Sequence, residues 1–138
     1  MGRKKRTVAL VLGSGGARGL AHIGIIEELL NRGYEITSVS GTSMGALVGG
    51  IYAAGKLEDF KHWIEGVDKF KMFQLLDFTF RFDGLVKGSR IINTLKELVP
   101  DVPIEDLPIP FSAIATDVHA EKEIVCDSGC LFDAIRAS

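Results

Sequence analysis

Several features that would point to particular functions are scarce or missing in this chain of 138 residues. Lysine and arginine number 16 and aspartate and glutamate 18, so no basic excess indicates a nucleic-acid partner. No apolar run approaches the roughly 20 residues of a membrane-spanning helix. The apolar run nearest the N-terminus, TVALVL, is short and is followed by glycines, which argues against a secretion signal. We therefore expect a cytoplasmic protein that does not bind nucleic acid.

Only two cysteines are present, Cys126 and Cys130, with three residues between them. The nearest histidine is His119, so a zinc site at this point would lack ligands. We expect reduced thiols that serve as small packing residues, and no residue cluster implies a metal or an organic cofactor. The basic segment MGRKKR at the N-terminus has two readings: a solvated tail, or a weak peripheral contact with anionic lipid headgroups.

The first 55 residues predict alternating strands and helices. TVALVL is a continuous apolar run typical of a strand buried on both faces, and EITSVS is a second strand. The segment ARGLAHIGIIEELLNRG has apolar residues at helical spacing and ends at Gly33, which suits a helix terminus. SMGALVGGIYAAG predicts a second helix, rich in small residues. This order implies a parallel sheet with right-handed crossovers, and hence an α/β fold.

The remaining segments continue this pattern less regularly. We predict helices over LEDFKHWIEGVDKF and SRIINTLKELVP, the second with Ser89 as its N-cap, and a further helix near Leu131. FSAIATDV and KEIVC predict two strands joined by the turn HAE. QLLDFTFRFDGLVKG reads as a loop with a short extended piece. Nothing in the composition divides the chain, so we expect one domain over residues 1–138.

The stretch GTSMG, formed by Gly41, Thr42, Ser43, Met44 and Gly45, lies where a predicted strand turns into a predicted helix. A nucleophilic serine must stand clear of its own backbone, and a sharp strand-to-helix turn achieves this. Glycines two positions on either side remove side chains that would collide with the neighbouring strand and helix. The alternative is a tight turn in which Ser43 is only a helix N-cap.

The glycine-rich segment GSGGARG ends the first predicted strand and should share a sheet edge with Ser43. Its backbone N–H groups suit either a phosphate or the oxyanion of acyl transfer. A dinucleotide-binding motif would need a sixth-position glycine where Arg18 stands, and no G-K-[ST] is present for a P-loop. Nucleotide binding is therefore the weaker of the two readings.

Together, LGSGGARGLAHIG and SGTSMGALVGGIYAAG are similar to two motifs of bacterial patatin-like phospholipases. GLVKGSRI, LPIPFSAIATDV and DAIRAS also resemble that family. The resemblance implies a three-layer α/β domain that hydrolyses phospholipids or other acyl esters, with Ser43 as nucleophile. It also implies an oxyanion loop, and the residues that match it are Gly15, Gly16, Ala17 and Arg18. Ser14 departs from the family pattern, which usually has a glycine there.

The resemblance also implies a Ser-Asp dyad whose aspartate lies in a D-G-[GA] motif after the segment that DAIRAS resembles. We therefore expect the base beyond Ser138 and the domain to be C-terminally incomplete. Asp83-Gly84 matches a family loop without catalytic role. Among the histidines, His22 is expected to pack at a helix start and His62 to lie on the surface. Asp117 with His119 is a lesser alternative base, and an inactive lipid- or acyl-binding fragment is the alternative function.

Overall fold

A four-stranded sheet organises the computed structural model, which describes residues 6–68 and 85–138. The strands are β1 (Arg6–Leu12), β2 (Tyr34–Thr42), β3 (Phe111–Asp117) and β4 (Lys122–Cys126), in the spatial order β1-β2-β3-β4. The first three strands are parallel and β4 is antiparallel to β3. The predicted α/β fold with a mainly parallel sheet is confirmed.

The described helices connect or follow these strands. They are α1 (Ala21–Asn31), α2 (Met44–Ala53), α3 (Leu57–Gly66), α4 (Leu85–Leu98) and α5 (Leu131–Ala137). Two short 3₁₀ helices cover Gly16–Leu20 and Ile104–Asp106. No helix within residues 6–68 and 85–138 is long and apolar enough to cross a membrane.

One face of the sheet carries the core. Because β1, β2 and β3 follow one another in the same direction, right-handed crossovers place the connecting helices on a single face. Residues on that face, such as Leu12 and Val39, are almost completely buried, whereas Val11 on the opposite face is 79% exposed. The expectation that β1 is buried on both faces is therefore wrong for the part of the chain that the structure describes.

Helix α2 lies close against the sheet because of its small residues. A Cβ at Gly49 would come within 2.8 Å of the Val39 side chain, and the Leu12 and Phe111 side chains are also close. Val48 and Ile51 of the same helix are fully buried. The glycines thus let the backbone of α2 approach the sheet. This close packing determines where the first residues of the helix lie relative to the sheet.

Several predicted boundaries shift in the structure. The first predicted helix divides into a 3₁₀ helix and α1, and α3 ends at Gly66 instead of continuing to Phe70. Helix α4 begins at Leu85, so the prediction that Ser89 is its N-cap is wrong. Gly88 lies inside this helix. One interior glycine lowers the stability of a helix by only about 1 kcal/mol relative to alanine, so it does not have to end the helix. The predicted loop before it, including Asp83-Gly84, falls largely outside the described residues.

Candidate active site

Ser43 connects the end of β2 to the start of α2. Its backbone has φ 56° and ψ −119°, and apart from the glycines only Glu121 among the described residues shares a positive φ. A non-glycine residue in this region is strained, and such strain persists only where the surroundings hold it in place. The side chain is partly exposed, while the helix that follows it is buried over residues 44–51. Ser43 therefore occupies a sharp turn at a helix N-terminus, beside the carboxyl edge of the sheet.

The two glycines that flank Ser43 are required by backbone contacts. A Cβ at Gly41 would lie 2.3 Å from the carbonyl oxygen of Gly45, so the turn itself leaves no room for a side chain. A Cβ at Gly45 would lie 2.1 Å from the carbonyl oxygen of Leu12 and 2.5 Å from that of Gly13. The spacing G-x-S-x-G thus reflects one close contact within the turn and another with the end of β1.

The glycine-rich loop lies against the residues that follow Ser43. A Cβ at Gly19 would be 2.4 Å from Cγ of Met44, so the 3₁₀ helix and the start of α2 are in direct contact. Gly15 and Gly16 have φ values of 153° and 54°, which favour glycine, and Gly15 is the N-cap of the 3₁₀ helix. Amides in the first turn of a helix have no partner within it. The loop therefore brings such amides to the same sheet edge as Ser43.

His22 ties this loop to the first helix. Its Nε2 is 2.8 Å from the carbonyl oxygen of Gly13, so Nε2 carries the hydrogen and donates it. Nδ1 is buried and has no hydrogen-bond partner among residues 6–68 and 85–138. Packing of His22 at the helix start was predicted, but its hydrogen bond to Gly13 was not. Through this bond His22 holds the same carbonyl oxygen that lies close to Gly45.

Ser138 is a site residue that motif analysis did not identify. Its Oγ accepts a hydrogen bond of 2.8 Å from the backbone N–H of Ser43 and donates one of 2.6 Å to the carbonyl oxygen of Ile114. The two serines are 95 residues apart. The only sequence signal was that the segment DAIRAS resembles the family, which marks the segment without assigning a role to its serine.

The other candidates lie in different surroundings. Oδ1 of Asp117 accepts hydrogen bonds from the backbone N–H groups of His119 and Ala120, so this carboxylate closes a turn, and His119 is exposed. His62 is exposed on α3, as predicted, with Nδ1 2.9 Å from the carbonyl oxygen of Glu58. Cys126 and Cys130 are free thiols. Within the described residues, no cluster of three or more histidine, cysteine, aspartate or glutamate side chains could hold a metal ion.

Comparison with known proteins identifies relatives over nearly the whole chain. The family model for patatin-like phospholipases matches residues 10–138. An uncharacterised NTE family protein of Mycobacterium tuberculosis is 46% identical over 137 residues, which is 99% of this chain. The neuropathy target esterase sws of Drosophila persimilis is 34% identical over 137 residues, or 96% of this chain. The chain spans 38% of the mycobacterial protein and 10% of the fly protein.

Proposed function

Because the chain belongs to the patatin-like phospholipase family, a family of lipid hydrolases, we propose that it carries the nucleophile and oxyanion loop of a serine acyl hydrolase. Its substrates are phospholipids or other acyl esters. The observation that carries the proposal is the backbone of Ser43, at φ 56° between β2 and α2 with the glycine-rich loop packed beside it. Such strain is typical of a serine held out for attack.

Ser43 Oγ attacks the acyl carbonyl carbon and loses its proton to a base. The new bond between Oγ and the acyl carbon forms as the carbonyl oxygen takes up negative charge. Backbone amides of Gly15, Gly16 and Ala17 receive this charge, and Arg18, which is exposed, adds a positive charge near it. The positive end of the α2 dipole also points at this position.

Collapse of the tetrahedral intermediate breaks the ester bond, and the leaving alcohol takes the proton. Water then attacks the acyl group on Ser43 and releases the fatty acid, which restores the serine. We assign the base to an aspartate outside these 138 residues, as the family resemblance implies. Asp117 is the weaker choice, because its Oδ1 already accepts two backbone amides.

Labelling with a fluorophosphonate tests this assignment, because the reagent phosphonylates only an activated serine. We expect the full-length protein to be labelled on Ser43, and Ser43→Ala to abolish labelling and lower ester hydrolysis by ~10⁴- to 10⁶-fold. Ser40→Ala is the control, since Ser40 Oγ receives a hydrogen bond from Ser112 on the neighbouring strand. Equal labelling of the wild type and Ser43→Ala would place the reactive nucleophile at another residue and contradict the proposal. No labelling of either protein would also contradict it and would favour an acyl-binding protein.

A further inference from the structure

The hydroxyl of Ser138 bridges two strands at the position where Ser43 leaves the sheet. It accepts from the N–H of Ser43 and donates to the carbonyl oxygen of Ile114 on β3. A serine hydroxyl has one hydrogen to donate, and here that hydrogen is used. The contact is partly buried, so water competes weakly for either partner.

Strand pairing shows what this hydroxyl replaces. The N–H of Val39 on β2 donates to the carbonyl oxygen of Pro110 at 2.9 Å, just before β3 begins. In a parallel pair this bond recurs at every second residue of each strand. Two such steps lead from Val39 and Pro110 to Ser43 and Ile114. The next bond of the ladder would therefore join these two groups directly, and Ser138 Oγ is inserted between them.

This insertion lets β2 turn away without leaving unpaired backbone groups. A direct bond would hold the Ser43 nitrogen ~2.9 Å from the Ile114 oxygen. Two hydrogen bonds of 2.8 and 2.6 Å in series allow a wider separation while both groups stay paired. The turn at Ser43 needs that room, because its positive φ directs the chain away from β3 and into α2.

Helix α5 fixes the position of the Ser138 hydroxyl. Its residues Leu131 and Phe132 are completely buried, and Leu131 and Ile135 lie against Gly50 of α2. The N–H of Ser138 donates to the carbonyl oxygen of Ala134, which continues the helical pattern to this residue. The helix that carries Ser138 thus packs on the same helix that Ser43 begins.

We propose that Ser138 is a positioning residue that holds the backbone of Ser43 in its reactive conformation. This inference rests on the proposed function, since it concerns the reactivity of Ser43. Loss of the hydroxyl leaves the Ser43 N–H and the Ile114 carbonyl without their common partner. The strained turn then relaxes, and Ser43 Oγ moves relative to the oxyanion amides.

The test compares Ser138→Ala and Ser138→Thr in the full-length protein. We expect Ser138→Ala to lower kcat and the rate of fluorophosphonate labelling by ~10- to 100-fold, the cost of misplacing a reacting group by about 1 Å, with KM unchanged. Threonine keeps the hydroxyl and should restore most of the rate. Hydrogen exchange at the Ser43 amide should be faster in Ser138→Ala and close to wild type in Ser138→Thr.

Ser112→Ala is the matched control. This substitution also removes a partly buried hydroxyl, which donates a hydrogen bond of 3.0 Å from β3 to Ser40 Oγ on β2. That hydroxyl forms its hydrogen bond with Ser40 and not with Ser43. We expect wild-type labelling from this variant. If Ser138→Ala does not fold, Ser138→Cys keeps the shape of the side chain, slightly enlarged, with a weaker hydrogen bond and should show the same slow labelling.

Three outcomes overturn the inference. The first is labelling of folded Ser138→Ala, or of Ser138→Cys in its place, at the wild-type rate. The second is labelling of Ser112→Ala that is slowed as much as that of Ser138→Ala. Unchanged exchange at the Ser43 amide would also contradict the bridge itself, whatever the activity. Absence of labelling in the wild type contradicts the proposed function. It also removes the positioning role, because that role concerns the reactivity of Ser43. The exchange measurement and the labelling measurement therefore separate the two failures.

Discussion

At Gly45 the backbone of the serine turn comes closest to the end of β1. The nearest atoms to a Cβ there would be the carbonyl oxygens of Leu12 and Gly13, at 2.1 and 2.5 Å. Both belong to the backbone, so neither can rotate aside as a side chain could. The oxygen of Gly13 is also held by His22. A side chain at position 45 therefore has to displace the glycine-rich loop or the start of α2.

We accordingly expect Gly45→Val to destabilise the fold by ~3 kcal/mol or more, as overpacking against fixed backbone does. Thermal or urea denaturation measures the change. Gly24→Ala is the control, because Gly24 lies within α1 and a Cβ there would meet nothing within 4 Å. That substitution should stabilise the helix by ~0.5–1 kcal/mol. A Gly45→Val protein as stable as wild type would contradict the contact with β1.

The sequence predicted the turn at Ser43 because its steric requirements are local. Two glycines, a preceding strand and a following helix all lie within a few neighbouring residues. Ser138 could not be found in this way, since its partner is 95 residues distant and is chosen by the packing of α5 on α2. The bond from His22 to Gly13 is also tertiary, because it depends on how the loop folds back over α1.

At the scale of elements, Asp101 holds the start of α5. Its carboxylate accepts hydrogen bonds from the Cys130 thiol at 3.1 Å and from the N–H of Phe132 at 3.3 Å, and pairs with Lys96 of α4 at 2.6 Å. A carboxylate at a helix N-terminus also interacts favourably with the helix dipole. Asp101 thereby links α4 to the helix that carries Ser138.

The protonation of Asp101 gives this link a pH dependence. Burial by itself raises the pKa of Asp101, but hydrogen bonds from Lys96, Cys130 and Phe132 outweigh it and set the pKa below its ordinary value. A group whose pKa is lowered by folding stabilises the fold above its unfolded pKa of ~3.9. That contribution is lost as the pH falls through the folded pKa.

We therefore expect Asp101→Asn to lower the free energy of unfolding by ~1 kcal/mol at pH 6, the usual net worth of a hydrogen bond. The difference from wild type should narrow as the pH falls below the unfolded pKa of ~3.9, because the unfolded chain then binds a proton that the folded carboxylate does not, and it should be lost as the pH falls through the folded pKa. Urea denaturation between pH 3 and pH 7 measures both effects. Asp59→Asn is the control, because its bond to Lys56 is exposed and such pairs contribute little. A difference that stays constant with pH would contradict the role of the charge.

Element boundaries show where local pattern was insufficient. The predicted strand KEIVC matches β4, and FSAIATDV exceeds β3 by one residue. The start of α4 was placed four residues late, because Ser89 resembles a cap and Gly88 a break. The segment ARGLAHIG was read as one helix, whereas the positive φ values of Gly15 and Gly16 start a 3₁₀ turn before α1. Competing local signals caused the first of these errors, and the backbone conformation of two glycines the second.

At the scale of the whole molecule, the order β1-β2-β3-β4 leaves one sheet face without helices from the described parts of the chain. The apolar composition of TVALVL indicated burial on both faces, but periodicity cannot show which segment covers a face. Val11 of β1 is 79% exposed and Val125 of β4 is 53% exposed. Exposed apolar residues on an open sheet favour association.

We expect the 138-residue chain, expressed by itself, to associate through this open face. Burying Val11 between two copies is worth ~1.5 kcal/mol or more, so Val11→Thr should weaken association about tenfold. Sedimentation velocity at several concentrations measures this, and binding of a hydrophobic dye should fall in parallel. Val118→Thr is the matched control, since Val118 is 77% exposed but follows β3 in the turn before β4. Equal weakening by both variants would point to nonspecific apolar contact, because Val118 lies in the turn after β3 and not on the open sheet face.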